Sequence, residues 1–139
     1  MALKNTYSTL SASRYIEKIE TALVLGGATG IGKFYEEGKI IGLQFTLDIK
    51  GKNVDFKMPV GWKKVQQVLK NEGAKRAEDD EYAYRVSWAI LCDWVEAQMA
   101  IIASENVSMP QLFLPFAVSK NGNTLFDAVM GSNLLGNGN

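Results

Sequence analysis

The sequence predicts an α+β single domain in which a three-stranded antiparallel meander packs on one long central helix. Three observations carry that expectation. Residues 82–103, YAYRVSWAILCDWVEAQMAIIA, are apolar on most sides when wound as a helix, and a helix of that kind has to be wrapped by other elements. Residues 43–49 and 54–58 alternate apolar and polar side chains, the period of half-buried strands. Serine, glycine and proline stand between these segments where caps and turns belong.

Along the chain, Ser11 or Ser13 caps an N-terminal helix on which Tyr15, Ile16, Ile19 and Leu23 fall at helical spacing, with Glu17 placed to support the cap. Gly26 and Gly27 end it. Strands over 31–35 and 39–49 flank the turn Glu36-Glu37-Gly38. Periodicity leaves open whether Phe34 or the pair Ile31 and Tyr35 faces inwards. In the second strand Leu43, Phe45, Leu47 and Ile49 alternate with polar residues, and Lys50-Gly51-Lys52-Asn53 reads as the turn into Val54, Phe56 and Met58. Matching the apolar faces places Ile49 opposite Val54, Leu47 opposite Phe56 and Phe45 opposite Met58.

Pro59 ends the third strand, and Trp62, Val65, Val68 and Leu69 mark a second helix that stops near Gly73, with Trp62 in the core. The acidic run at 78–81 suits the positive end of the long helix. Beyond Asn106, Pro110 and Pro115 predict irregular or extended chain rather than helix, with 112–116 strapped over the core or exposed as an interface. Lys120 to Asn123 form a turn, and Thr124 with Asp127 opens a short C-terminal helix through Met130. Residues 1–131 read as the domain and 132–139 as a flexible tail.

Composition narrows the chemistry. The chain has no histidine and one cysteine. This excludes Ser-His-Asp and Cys-His activation, histidine-ligated metals and structural zinc. No catalytic residue, metal or cofactor is expected. Cys92 reads as a small buried hydrophobe. The N-terminus lacks the apolar core of a signal peptide, and Arg85, Asp93, Glu96 and Gln98 interrupt the long apolar segment. A cytoplasmic location and no membrane contact follow as expectations. Within the long helix, Asp93 and Glu96 share a face and are expected to line a wet stripe or to pair with Arg85 or a lysine.

The zero net charge hides an asymmetry. Residues 1–76 carry thirteen Lys/Arg against seven Asp/Glu, and residues 77–139 carry two against eight. Such a split marks either a polyanion surface on the basic half or two halves that attract each other. Lys33, Lys39, Lys50, Lys52 and Lys57 fall on the predicted sheet and its turns, Lys63 and Lys64 on the next helix, and Tyr35 among them. Amines with an aromatic ring on an open sheet face are what single-stranded nucleic acid requires, phosphates meeting lysine and bases stacking on rings. These eight residues are the predicted binding set. Glu36, Glu37, Asp48 and Asp55 interrupt it.

The run LGGATGIG at 25–32 resembles the glycine fingerprint of short-chain dehydrogenases. Its surroundings are wrong for a dinucleotide: helix precedes it, a hairpin follows, and the family's Tyr-x-x-x-Lys pair is missing. A looser role remains, with the loop's amides holding an isolated phosphate.

The residues Ala83-Tyr84-Arg85-Val86 with Trp88, Asp93-Trp94 with Glu96-Ala97-Gln98, Phe113-Leu114-Pro115-Phe116 and Gly122 before Thr124-Leu125-Phe126 are similar to a family of small uncharacterised proteins of tailed phages and prophages. SASRYIEKIETAL, GATGI and the Tyr-Glu-Glu-Gly turn resemble the start of the same family. Where its members carry a basic residue, this chain has Leu91 or Cys92. The resemblance implies a viral accessory protein acting in host cytoplasm, and it brings no activity and no functional residue. The expectation is a non-enzymatic protein of phage DNA metabolism that binds single-stranded or structured nucleic acid. A β-β-β-α order also occurs in strand-annealing proteins, a likeness at the level of fold alone. The alternative is a protein-interaction module, a virion or assembly accessory or an inhibitor of a host protein, which self-associates or binds a host or phage partner.

Overall fold

Ser11 has extended backbone and its hydroxyl accepts the Arg14 amide at 3.3 Å, so Ser11, and not Ser13, caps α1 (Ala12–Leu25). In the computed structural model, which describes residues 3, 5, 10–105, 107–132 and 136, α1 is followed by β1 (Gly30–Glu36), β2 (Lys39–Ile49) and β3 (Lys52–Pro59). Then come α2 (Trp62–Asn71), α3 (Asp80–Glu105), α4 (Met109–Phe113), a 3-10 turn (Leu114–Phe116) and α5 (Leu125–Met130). The architecture is α+β, as predicted. Residues 133–135 and 137–139 of the expected tail lie outside the described residues.

The sheet is an antiparallel meander in the order β1-β2-β3. Each hairpin closes through two residues with left-handed φ, Glu37 and Gly38 (51° and 80°) and Lys50 and Gly51 (53° and 83°). That geometry matches the twist of paired strands, and the Asp48 carboxylate fixes the second turn by accepting the Gly51 amide at 2.8 Å. The tight turn corrects the predicted register. Ile49 pairs with Lys52, so Leu47 faces Val54, Phe45 faces Phe56 and Leu43 faces Met58. A slip of two residues keeps every side chain on its face, so apolar matching alone does not distinguish the two registers. In the first hairpin the register breaks between Phe34 and Tyr35, which pair with Gly42 and Ile40 and leave Ile41 as the extra residue. The extra residue lies in β2, so β1 keeps its alternation: Phe34 takes the outer face, while Ile31, Lys33 and Tyr35 share the other parity.

The inner face of the sheet supplies Leu43, Phe45, Leu47, Phe56 and Met58 to one apolar cluster with Ile19 and Leu23 of α1 and Val86, Trp88, Ala89 and Val95 of α3. Phe45 stacks on Phe56 with centroids 5.0 Å apart and meets the edge of Phe113 at 5.3 Å. Asp79 caps α3, its carboxylate accepting the Tyr82 amide at 3.2 Å. The hydrogen bond from Arg76, with that from the Tyr82 amide, holds the Asp79 carboxyl below the usual carboxylate range. The half-turn between α2 and α3 is clipped by Gln66, whose amide donates to the Ala77 carbonyl at 3.0 Å and to Asp80 at 2.9 Å. Farther on, the Tyr84 hydroxyl donates to the Ile40 carbonyl at 2.7 Å and ties α3 to the bulged end of β2. By length and composition α3 alone among the described helices is apolar enough to cross a membrane, a test that core helices also pass.

The segment after Asn106 is helical, contrary to the expectation of extended chain. Pro110 and Pro115 stand in the first turns of α4 and of the 3-10 helix, where no backbone donor is needed and the ring presets φ. Ser108 and Gln111 form a capping box ahead of α4. The segment does lie over the core: Phe113 is fully buried, and Trp94 meets the edges of Phe113 and Phe116. Chain 117–118 then runs along the free edge of β3, the Val118 amide donating to the Asp55 carbonyl at 2.8 Å.

Candidate nucleic-acid interface

The outer face of the sheet follows from the register. Three rows cross it: Gly30, Thr46 and Asp55; Gly32, Gln44 and Lys57; Phe34, Gly42 and Pro59. Tyr35 has the parity of Lys33 and so does not join these rows, although at the end of β1 it is 63% exposed. None of these residues belongs to the buried core. Lys57 reaches across Gly42 to place its ammonium 4.5 Å from the centroid of the Phe34 ring. Phe34 can lie flat there because Gly42 has no side chain. A Cβ at residue 42 would stand 3.5 Å from the Phe34 ring and 2.9 Å from the Met58 carbonyl oxygen.

The eight residues predicted from sequence do not form one patch. Lys39 and Lys50 stand at opposite ends of the 11-residue β2, roughly 35 Å apart at the rise of an extended strand. Lys33 pairs with Leu43, an inner-face position, and its ammonium meets Glu20 of α1 at 3.0 Å. The hydrogen bond and charge of Glu20 raise the Lys33 pKa. Lys39 lies 4.8 Å from the Tyr84 ring and 5.8 Å from the buried Trp62 ring, with Glu81 at 3.6 Å. It is a structural cation of the α3 N-terminus. Lys63 pairs with Glu36 at 3.8 Å. Among the described residues Lys50, Lys52, Lys57 and Lys64 take part in no ion pair. Of these, Lys57 lies on the outer face and Lys50 and Lys52 at its β2–β3 turn.

Much of the charge asymmetry is internal. Lys18 with Glu96 (3.7 Å), Lys39 with Glu81 (3.6 Å), Lys70 with Glu78 (3.5 Å) and Arg76 with Asp79 (2.9 Å) join the basic and acidic halves. Such exposed pairs contribute ~0–1 kcal/mol each, so they orient the halves more than they stabilise them. Three of the four interrupting carboxylates are themselves engaged: Asp55 accepts the Thr46 hydroxyl at 2.6 Å, Asp48 the Gly51 amide at 2.8 Å, and Glu36 meets Lys63 at 3.8 Å.

Sequence reasoning left Phe34, Gln44, Gly30 and Gly32 out of the binding set. The signal for the glycines was present. A glycine inside a strand weakens it by ~0.5–1 kcal/mol, and neither position requires one. Neither has a left-handed φ. A Cβ on Gly32 would meet nothing within 4 Å, and one on Gly30 would meet the Thr46 hydroxyl at 3.8 Å.

The phosphate role considered for LGGATGIG does not survive. The amides of Gly26, Gly27, Ala28 and Thr29 donate to the carbonyls of Ala22, Val24, Leu23 and Thr46 at 2.9 to 3.0 Å. They close the C-terminus of α1 and start the sheet, so they are not free to hold an anion. Gly26 also keeps a close contact open, since a Cβ there would stand 2.5 Å from the Met109 sulfur.

Among the polar residues of α3, Glu96 pairs with Lys18 and accepts the Cys92 thiol at 3.2 Å. Asp93 accepts the Asn5 amide at 2.9 Å. The Arg85 guanidinium lies 5.4 Å from the Tyr82 ring. Among the described residues no three Cys, Asp or Glu side chains converge on a metal position. Burial, with the Glu96 carboxylate second, pushes the fully buried Cys92 thiol up to about 12. It therefore stays protonated and unreactive. A thiol reagent at mildly alkaline pH is expected to leave the native protein unmodified and to label it at once in denaturant. Rapid labelling of the native protein would contradict the packing of α3.

The chain matches no protein-family model, no curated protein and no solved structure.

Proposed function

We propose that this is a non-enzymatic accessory protein that binds single-stranded nucleic acid on the outer face of its sheet. One observation carries the reading: an outer sheet face that no described helix covers, on which the Lys57 ammonium stands 4.5 Å from the centroid of the Phe34 ring, one row from Gln44. The Phe34 ring offers a flat surface for a base. Lys57 meets the backbone, and Lys50 and Lys52 extend the positive charge to one end. Lys33, Lys39 and Lys63 drop out of the binding set because carboxylates hold them. With few phosphate contacts, binding is expected to be modest and to weaken with salt. The resemblance to tailed-phage proteins makes phage DNA metabolism the setting, and replication genes beside the coding sequence would agree with it.

The test is a titration of a labelled oligothymidylate at low salt. Phe34→Ala is expected to weaken binding by the ~1–3 kcal/mol of a lost base stack. Lys57→Gln is expected to weaken it and to flatten its salt dependence. An unbound oligonucleotide at low salt removes the proposal.

A second reading, a protein-interaction module, rests on a different surface. Leu25 at the end of α1 is 83% exposed and borders an apolar groove of about 360 Å³ with Ala22, Gly26, Met99, Ile102 and Ala103. If that groove holds a partner, Leu25→Asp abolishes the association and leaves oligonucleotide binding unchanged.

A further inference from the structure

We infer that the outer face has one seat for a single unpaired base, formed by the backbone of Gly30 and Gly32 as floor, the Phe34 ring and Lys57 as one wall and the Gln44 amide as the group that meets the base edge. The inference rests on the nucleic-acid reading above and adds to it a place and a strand preference. Gln44 pairs with Gly32 on one side and Lys57 on the other, so the amide stands in the middle of the face. Among the described residues it makes no hydrogen bond to another protein group. Thr46 and Asp55, its neighbours in the next row, satisfy one another at 2.6 Å, which leaves Gln44 as the polar group free to read a ligand there.

Beside it the sheet is bare. Gly32 has ordinary strand backbone, and a Cβ at that position would meet no atom within 4 Å. Glycine weakens a strand and often marks a site where another group approaches the backbone, and among the described residues no atom lies within 4 Å of a Cβ built on Gly32. A flat ring is the object whose shape and chemistry match the surroundings. It would lie on the strand with its edge towards Phe34, with a cation to meet its phosphate and an amide able to donate and accept at its edge. A base inside a duplex cannot reach such a floor because its faces are already stacked, so the seat selects single strands.

Gly32→Val separates this seat from the rest of the surface. Valine favours a strand and finds open space at this position, so the thermal midpoint of the full chain should hold or rise. Two branched methyl groups would cover the floor, and affinity for a short oligothymidylate should fall roughly tenfold or more, the order of one lost base stack. Gly32→Ala, a smaller intrusion, should give a graded loss and serves if the valine variant fails to fold. A matched duplex should bind more weakly than the single strand. If Gly32→Val and Gly32→Ala bind like the parent while Lys50→Gln and Lys52→Gln still weaken binding, the seat is overturned and the broader surface stands. If the parent protein leaves the oligonucleotide unbound, both fall. Equal affinity for single and double strands overturns the seat, as does a dimer that Gly32→Val dissociates in the absence of any bound oligonucleotide.

Discussion

Replacing Trp88 by alanine is expected to destabilise the protein by ~3–5 kcal/mol, the range for deleting a large aromatic side chain from a sealed core. Trp88 has no solvent exposure and meets the edge of Tyr84 at 6.4 Å. It stands at the part of α3 that the other elements wrap. Domains of this size hold together by ~5–15 kcal/mol, so this one truncation removes a large share. Trp88→Phe should cost much less than the alanine change. The indole Nε1 is buried and has no hydrogen-bond partner among the described residues, and an unmet buried donor is itself worth ~1–3 kcal/mol of destabilisation. Phenylalanine leaves a smaller cavity and removes that donor. Urea unfolding followed by far-ultraviolet circular dichroism measures both. A loss below about 1 kcal/mol for the alanine variant, well outside the range for a sealed site, would show that α3 is not enclosed.

The second large effect belongs to Gly42. Alanine at this position is expected to cost ~1–3 kcal/mol, as overpacking does, although its φ is ordinary. Its Cβ would lie 2.9 Å from the Met58 carbonyl oxygen and 3.3 Å from the Pro59 Cα. Both are backbone atoms of the paired strand and cannot rotate away. Relief requires parting β2 from β3 next to the bulge at Ile41, and it would also push the Phe34 ring off its seat. Gly32→Ala, in the neighbouring strand with open space above it, is the control and should cost nothing. Equal destabilisation by the two substitutions would contradict the register that places Gly42 against Pro59.

The architecture was largely legible because local chemistry and global packing agree. Ser11, Gly26 and Thr124 cap helices as their residue types require, and the alternation of 43–49 puts Leu43, Phe45 and Leu47 in the core. The failures have physical causes. Apolar matching is blind to a slip of two residues, and only the left-handed pair Lys50 and Gly51 sets the register. Pro110 and Pro115 read as helix breakers when counted, but each occupies a first turn, where proline is favoured. The site was less legible than the fold. The lysines look alike in sequence, while their positions depend on strand parity and on what the helices bring near. Parity turns Lys33 towards Glu20, and α3 brings Glu81 to Lys39. Phe34 was ambiguous because β1 carries an apolar residue at both parities, and only pairing with β2, Ile31 against Phe45 and Phe34 against Gly42, sets its face. Gln44 and Gly32 acquire meaning only as one cross-strand row with Lys57.

The central claim is that the outer sheet face is the binding surface. Amide chemical-shift mapping of the isotope-labelled protein during a low-salt titration with oligothymidylate tests it most directly. The expected result is a set of shifted resonances over Gly30 to Tyr35, Gln44 and Lys57, which fades as salt is added, with Leu25, Met99 and Ile102 unmoved. Shifts confined to the groove between α1 and α3, or a spectrum unchanged at saturating oligonucleotide, would contradict it.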